Sequence, residues 1–89
     1  MTYEWNPRKQ DANLKKHGVH FANAMDIFED PRAITVADVS SDEEQFITIG
    51  MDTLGRLLTV VYTWRDENIR LISARRATRG ERAQYREGT

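Results

Sequence analysis

Eighty-nine residues, 39% of them apolar, suffice for one domain with a modest core and exclude the two large domains of a typical cofactor dehydrogenase. The lack of cysteine excludes disulfides, thiolate catalysis and Cys-based zinc sites, while 30% charged residues and a mean hydropathy of -0.67 exclude a membrane span and, with aliphatic runs between the charges, argue against wholesale disorder. The formal net charge of -1 conceals two unlike halves: five Lys/Arg face nine Asp/Glu in residues 1–45, and eight Arg face five Asp/Glu in residues 46–89.

In chain order, Tyr3-Glu4-Trp5 is compatible with a short opening strand. Asn6 then stands as a helix cap and Pro7 as a first helical residue, so a helix is predicted from Pro7 to Lys16, closed by Gly18 in a left-handed cap. Lys15, Lys16 and His17 favour its negative dipole end. Phe21, Ala24, Met25 and Phe28 have the spacing of a second short helix, from about Phe21 to Phe28, that Pro31 closes. Its Met and aromatic residues read as core.

Four strand-like runs follow: Ala33 to Val39, Gln45 to Met51, Leu57 to Trp64 and Ile69 to Ala74. Simple alternation in the last puts Ile69, Leu71 and Ser73 on one face and Arg70, Ile72 and Ala74 on the other. The separators are too short for parallel crossovers, which predicts an antiparallel meander with Leu57–Trp64 central. Thr78-Arg79-Gly80-Glu81 has capping-box spacing and announces a final helix, with Glu81 and Tyr85 on one face and Arg79, Arg82 and Arg86 on another. The predicted architecture is α+β: a four-stranded antiparallel meander, two N-terminal helices on one sheet face and one C-terminal helix, with the other face partly open as the working surface. A single domain spans 1–89.

The chain offers no Gly-rich phosphate loop, no serine elbow and no histidine-rich metal cluster; His17 and His20, three apart, lack a further credible ligand. No metal or cofactor is therefore expected. What remains is arginine, histidine, glutamate and tyrosine, a set able to cleave RNA without a metal. A base takes the 2'-OH proton, the oxygen attacks phosphorus, cations stabilise the phosphorane and an acid protonates the leaving oxygen. Glu81 or His17 is the candidate base, and His17 or Tyr85 the candidate acid. Arg65, Arg75 and Arg76 are candidate phosphate clamps, with Arg75 and Arg76 on opposite faces of an extended run. Arg56, Arg70, Arg79 and Arg82 extend the RNA-binding set, because guanidinium offers phosphate a planar fork. Tyr62 and Trp64 share strand parity and are candidates to stack a base or to fill the core. For each group the plain alternative is structural: Glu81 as a cap, His17 at a helix end, Tyr85 as packing, each arginine as a solvated charge.

The chain resembles the BrnT toxin family. The resemblance rests on Tyr3-Glu4-Trp5-Asn6-Pro7, Asn13-Leu14-Lys15-Lys16-His17-Gly18-Val19-His20-Phe21, Ala24 to Pro31, Ile49-Gly50, Gly55-Arg56-Leu57-Leu58 and Val61-Tyr62-Thr63. It continues through Ile69-Arg70-Leu71-Ile72-Ser73-Ala74-Arg75 to Ala77, Glu81 and Tyr85. His20 and Gly80 depart from the family pattern, which usually has a capping Ser or Asp at the first and a better helix former at the second. The resemblance implies a compact RelE-like ribonuclease that cuts RNA and arrests translation. It also implies neutralisation by a BrnA-type antitoxin with a ribbon-helix-helix domain, and contact with DNA only indirectly, through the antitoxin complex. The start of the chain lacks the basic-then-apolar pattern of a signal peptide, so the expected compartment is the cytoplasm, with no membrane partner. The rival reading is an inactive arginine-rich module that binds a protein or nucleic-acid partner.

Overall fold

A computed structural model describes residues 2–40 and 42–88. In chain order the elements are β1 (Tyr3–Glu4), α1 (Pro7–His17), α2 (Phe21–Ala24), a 3-10 helix (Met25–Glu29), β2 (Ile34–Asp38), β3 (Gln45–Met51), β4 (Leu57–Arg65), β5 (Asn68–Arg76) and α3 (Arg79–Glu87). The sheet order is β1-β5-β4-β3-β2. Strands β2 to β5 pair antiparallel with their sequence neighbours, as short turns require, but the sheet is five-stranded and mixed rather than a four-stranded meander. The fifth strand is β1, which runs parallel to β5 through Tyr3 opposite Ile69 and Glu4 opposite Arg70. The candidate opening strand at Tyr3-Glu4-Trp5 is thus present as Tyr3–Glu4, but two paired residues carry too little pattern to show where in the sheet they belong. The parallel direction is possible because the rest of the domain serves as the crossover.

Local chemistry sets the N-terminal helices. The Asn6 side chain accepts from the Arg8 amide at 2.8 Å, Pro7 occupies the first turn and Gly18 closes α1 at φ 70°. His20, at the N-cap of α2, makes no side-chain cap bond. Gln10 from α1 substitutes, its carbonyl oxygen accepting from the Phe21 amide at 2.7 Å. The second predicted helix is α-helical only to Ala24 and then tightens to 3-10 geometry. There Ile27 packs on β3 so closely that a Cβ at Gly50 would lie 2.9 Å from the Ile27 Cβ and 3.1 Å from its carbonyl oxygen. Only glycine admits that approach.

The main core lies between these helices and one sheet face: Val19, Phe21, Ala24 and Ile27 cover Leu58, Val60, Tyr62, Ile69, Leu71 and Ala74. Ala74 belongs to this set because β5 carries a bulge. Tyr62 pairs with Leu71 but Val61 pairs with Ser73, so Ile72 has no partner and alternation restarts after it. Simple alternation therefore misassigned Ser73 and Ala74. Beyond the bulge, Ser73 and Arg75 face the second side of the sheet, opposite Val61 and Thr59, while Arg76 stands opposite Leu58.

The α1 docking depends on Asn13, buried at 6% exposure. Its amide donates to the Ala74 carbonyl at 2.9 Å and accepts from the Ala74 amide at 3.0 Å, filling ladder positions on the edge of β5 beyond the reach of β1. The remaining donor goes to the Val19 carbonyl at 3.0 Å. Asn13→Ala leaves three backbone groups short of a partner and is expected to cost about 3 kcal/mol. Urea denaturation checks this value; Asn13→Asp, which retains only the acceptor function, should remain clearly destabilised.

Candidate active site

Helix α3 crosses the second sheet face above one cross-strand row: Ile34, Ile49, Thr59 and Arg75, which pair in succession across β2, β3, β4 and β5. Glu81 bonds Thr59 and Arg75, Tyr85 packs with Ile49 and Gly88 lies against Ile34. The steps from 81 to 85 to 88 advance roughly 6 Å and 4.5 Å along the helix, close to the strand spacing of about 4.8 Å. The bulge at Ile72 is what puts Arg75, rather than Ala74, in this row.

The Arg75–Glu81 pair is a two-pronged fork, Nη1 to Oε1 at 2.7 Å and Nη2 to Oε2 at 2.9 Å. Glu81 Oε1 also accepts from the Thr59 hydroxyl at 3.0 Å and the Thr78 amide at 2.8 Å, while the Thr78 hydroxyl accepts from the Glu81 amide. The predicted capping box is thus present, and its carboxylate also holds the sheet. The hydrogen bond from Arg75 holds Glu81 down at about 2, burial opposes this, and Thr78, Thr59 and the Arg75 charge add to it. Glu81 in turn raises Arg75. A carboxylate so depressed is a poor proton acceptor but a firm mount for a guanidinium.

His17, at the end of α1, lines a shallow hollow of about 250 Å³ with Lys9, Asn13, Lys16, Ile72 and Ser73. Ser73 precedes Arg75 by two residues on the same face, roughly 7 Å along the strand. Lys16, His17, Ser73, Arg75 and Glu81 thereby form a band along the open side of β5. Beyond the fork, Arg56, Arg76, Arg82 and Arg86 surround a hollow of about 220 Å³, and Arg79, Arg82 and Arg86 line one of about 460 Å³ on the outer side of α3.

Other candidates lie elsewhere. Arg65 and Arg70 stand at the opposite end of β4 and β5, where Glu4 takes Arg70 at 3.3 Å and Arg65 at 3.8 Å. Four residues of β5 separate Arg70 from Arg75, so neither Arg65 nor Arg70 joins the fork. The Tyr85 hydroxyl donates to Asp30 Oδ2 at 2.7 Å. Burial and then the Asp30 bond and charge raise Tyr85; burial pushes Asp30 up, but donors from Met51, Tyr85 and Arg32 outweigh it and leave its carboxyl low. Tyr62 is buried, its hydroxyl bonded to Thr48 and its ring set against Phe28, Phe46 and Trp64; of the two stacking candidates only Trp64 is exposed, at 45%. Thr59 and Ser73 escaped the sequence reading. The available signal for Thr59 was a hydroxyl inside the otherwise apolar run of β4. Among the described residues no group of three His, Cys, Asp or Glu side chains converges to hold a metal.

The fold is a small α+β domain whose second sheet face, crossed by α3, carries a guanidinium mounted on a carboxylate and flanked by further cationic side chains. The sequence matches the family described as ribonuclease toxin, BrnT, of type II toxin-antitoxin system over residues 5–81, and the chain belongs to that family. Its structure is similar to the 1.1 Å crystal structure of the Brucella abortus ribonuclease toxin BrnT, with TM-score 0.66 and 21% identity over 89% of this chain and 99% of that one. At that identity the likeness establishes the fold. No curated protein matches the chain.

The depressed Glu81 carboxyl has a definite pH consequence. Since its folded value lies below the ordinary 4.5, the stabilisation is complete above that pH and is lost as pH falls towards about 2. Glu81→Gln is expected to cost about 2 kcal/mol at neutral pH, with the gap to wild type closing between these limits; urea denaturation across the acid range measures it.

Proposed function

We propose that this chain is an endoribonuclease that cuts RNA without a metal, by attack of the 2'-OH on the adjacent phosphorus. Arg75, mounted by Glu81 and with 36% of its side chain exposed, carries the proposal. It donates to the non-bridging oxygens as the phosphorane gains charge, and Glu81 positions it. His17, reached along the band through Ser73, accepts the 2'-OH proton; the P–O5' bond breaks and the leaving oxygen takes a proton from solvent. The products are a 2',3'-cyclic phosphate and a 5'-OH. Tyr85, raised in pKa and bound to Asp30, serves to tie α3 down.

Family membership supports the wider reading: a RelE-like toxin acting in the cytoplasm, inhibiting translation by cleaving RNA, held in check by a BrnA-type ribbon-helix-helix antitoxin and meeting DNA only through that partner. One observation favours the rival, an inactive module that only binds. Both carboxylate oxygens of Glu81 already accept hydrogen bonds from Arg75, Thr59 or Thr78, so the fork supplies no free base.

Purified chain incubated with a long RNA in EDTA distinguishes the two. Cleavage should proceed, leave a cyclic phosphate and stop when the cut position carries 2'-O-methyl. Arg75→Gln should lower kcat by about 100-fold with much smaller loss of RNA affinity, as expected when a donor acts mainly on the transition state. Tyr85→Phe should retain kcat within about threefold while losing about 1 kcal/mol of stability. A requirement for Mg²⁺, or normal cutting of the 2'-O-methyl substrate, rejects the mechanism; binding without cleavage selects the rival.

A further inference from the structure

The turn between β3 and β4 is organised around Asp52, whose side chain is wholly buried. Its Oδ1 accepts from the Leu54 amide at 3.0 Å and the Arg56 amide at 2.8 Å, and its Oδ2 accepts from Arg56 Nε at 2.8 Å. This clamps a guanidinium that remains 20% exposed and whose buried Nη2 has no hydrogen-bond partner among the described residues. Such an atom is rare in a folded protein and leaves part of the hydrogen-bonding capacity of Arg56 unspent.

Arg56 shares its hollow of about 220 Å³ with Arg76, Arg82 and Arg86, and among the described residues no acidic side chain lines it. Among the described residues Arg76 and Arg82 have no ion-pair partner. The cations arrive from three places in the fold: Arg56 from the β3–β4 turn, Arg76 from the end of β5, and Arg82 and Arg86 from α3. Arg76 directly follows Arg75 and Arg82 directly follows Glu81, so each Cα is one step, about 3.8 Å, from that of a fork residue, although Arg76 leaves β5 on the face opposite to Arg75.

We infer that this hollow is a second phosphate subsite, which takes a backbone phosphate of RNA flanking the one at Arg75. The inference rests on the ribonuclease reading and deepens it. Guanidiniums converging from three directions suit the several oxygens of a phosphate, whereas one fork suffices for a carboxylate, as Arg75 shows with Glu81. Adjacency along the chain favours the same ligand: Arg76 and Arg82 of the hollow adjoin the fork residues Arg75 and Glu81 in sequence, and a polynucleotide supplies further phosphates at intervals on either side of the one at Arg75. Asp52 holds Arg56 in place before RNA arrives, so that side chain loses little freedom on binding.

The test uses fluorescent RNA dinucleotide and hexanucleotide, both 2'-O-methylated so that binding is read without cleavage. Wild type should bind the hexamer at least about tenfold more tightly than the dinucleotide. Arg76→Gln/Arg82→Gln should remove most of that difference and flatten the salt dependence of hexamer binding, by about 0.7 in logarithmic slope for each phosphate that no longer meets a guanidinium. The charge-matched double variant Arg8→Gln/Lys15→Gln should preserve the length preference. Hexamer affinity unchanged by Arg76→Gln/Arg82→Gln, or dinucleotide affinity lowered by the same factor, overturns the subsite. Loss of affinity for an acidic antitoxin with hexamer binding intact also overturns it and assigns the hollow to a protein. Cleavage of unmodified RNA is scored separately, so an inactive chain with the predicted length preference would remove the enzyme reading and leave the subsite standing.

Discussion

The working face depends on one carboxylate. Glu81 accepts from Arg75 on β5, Thr59 on β4 and Thr78 at the start of α3, so a single side chain joins two strands and a helix. These bonds involve a group only 19% exposed, where charge-assisted hydrogen bonds are less screened than on an open surface. They also oppose an unfavourable interaction, because α3 presents Arg79, Arg82 and Arg86 on its outer side near Arg56 and Arg76. Mutual repulsion among these cations would push the helix off the sheet. Glu81 near one end and the Tyr85–Asp30 bond towards the other resist that, and the small Ile49, Ala77 and Tyr85 cluster supplies apolar cover between them.

Much of this was legible because local rules act over short distances. Asn6, Pro7 and Gly18 marked α1 through capping chemistry that needs no tertiary partner, and Thr78 with Glu81 marked α3 in the same way. The strands from Gln45 onward followed from apolar runs and turn-length gaps. The pairing of β1 with β5 depends on a segment 66 residues away along the chain, as do the ion pair and hydrogen bond between Glu4 and Arg70. Asn13 lies within a polar helix and has no local mark that separates it from its exposed neighbours; only the open edge at Ala74 gives it a task.

The site divides along the same line. Arg75, Glu81 and His17 were named from residue chemistry; the structure joins Arg75 to Glu81 directly and leaves His17 at the end of α1, beside Ser73. Arg65 entered the candidate set through charge density, a property that does not encode distance; its guanidinium stands beside Glu4 instead. Asp52 lies in a turn-length gap between two strand runs and has no local mark of its own, since its burial and its hold on Arg56 appear only when the β3–β4 hairpin closes. Tyr85 was marked by its spacing from Glu81, yet four residues of helix carry it to a different strand, where Asp30 rather than the fork is its partner.

The unpaired Ile72 gives β5 a property its neighbours lack. Pairs on either side of it, Tyr62 with Leu71 and Val61 with Ser73, are the ones a regular ladder would make if Ile72 were missing. Chain length can therefore vary by one residue at this point without exchanging the two sheet faces, while an insertion or deletion elsewhere in β5 would turn Arg75 towards the apolar core. Among related chains, a one-residue gap in an alignment is accordingly easiest to accommodate between Leu71 and Ser73, with the arginine face downstream left in place.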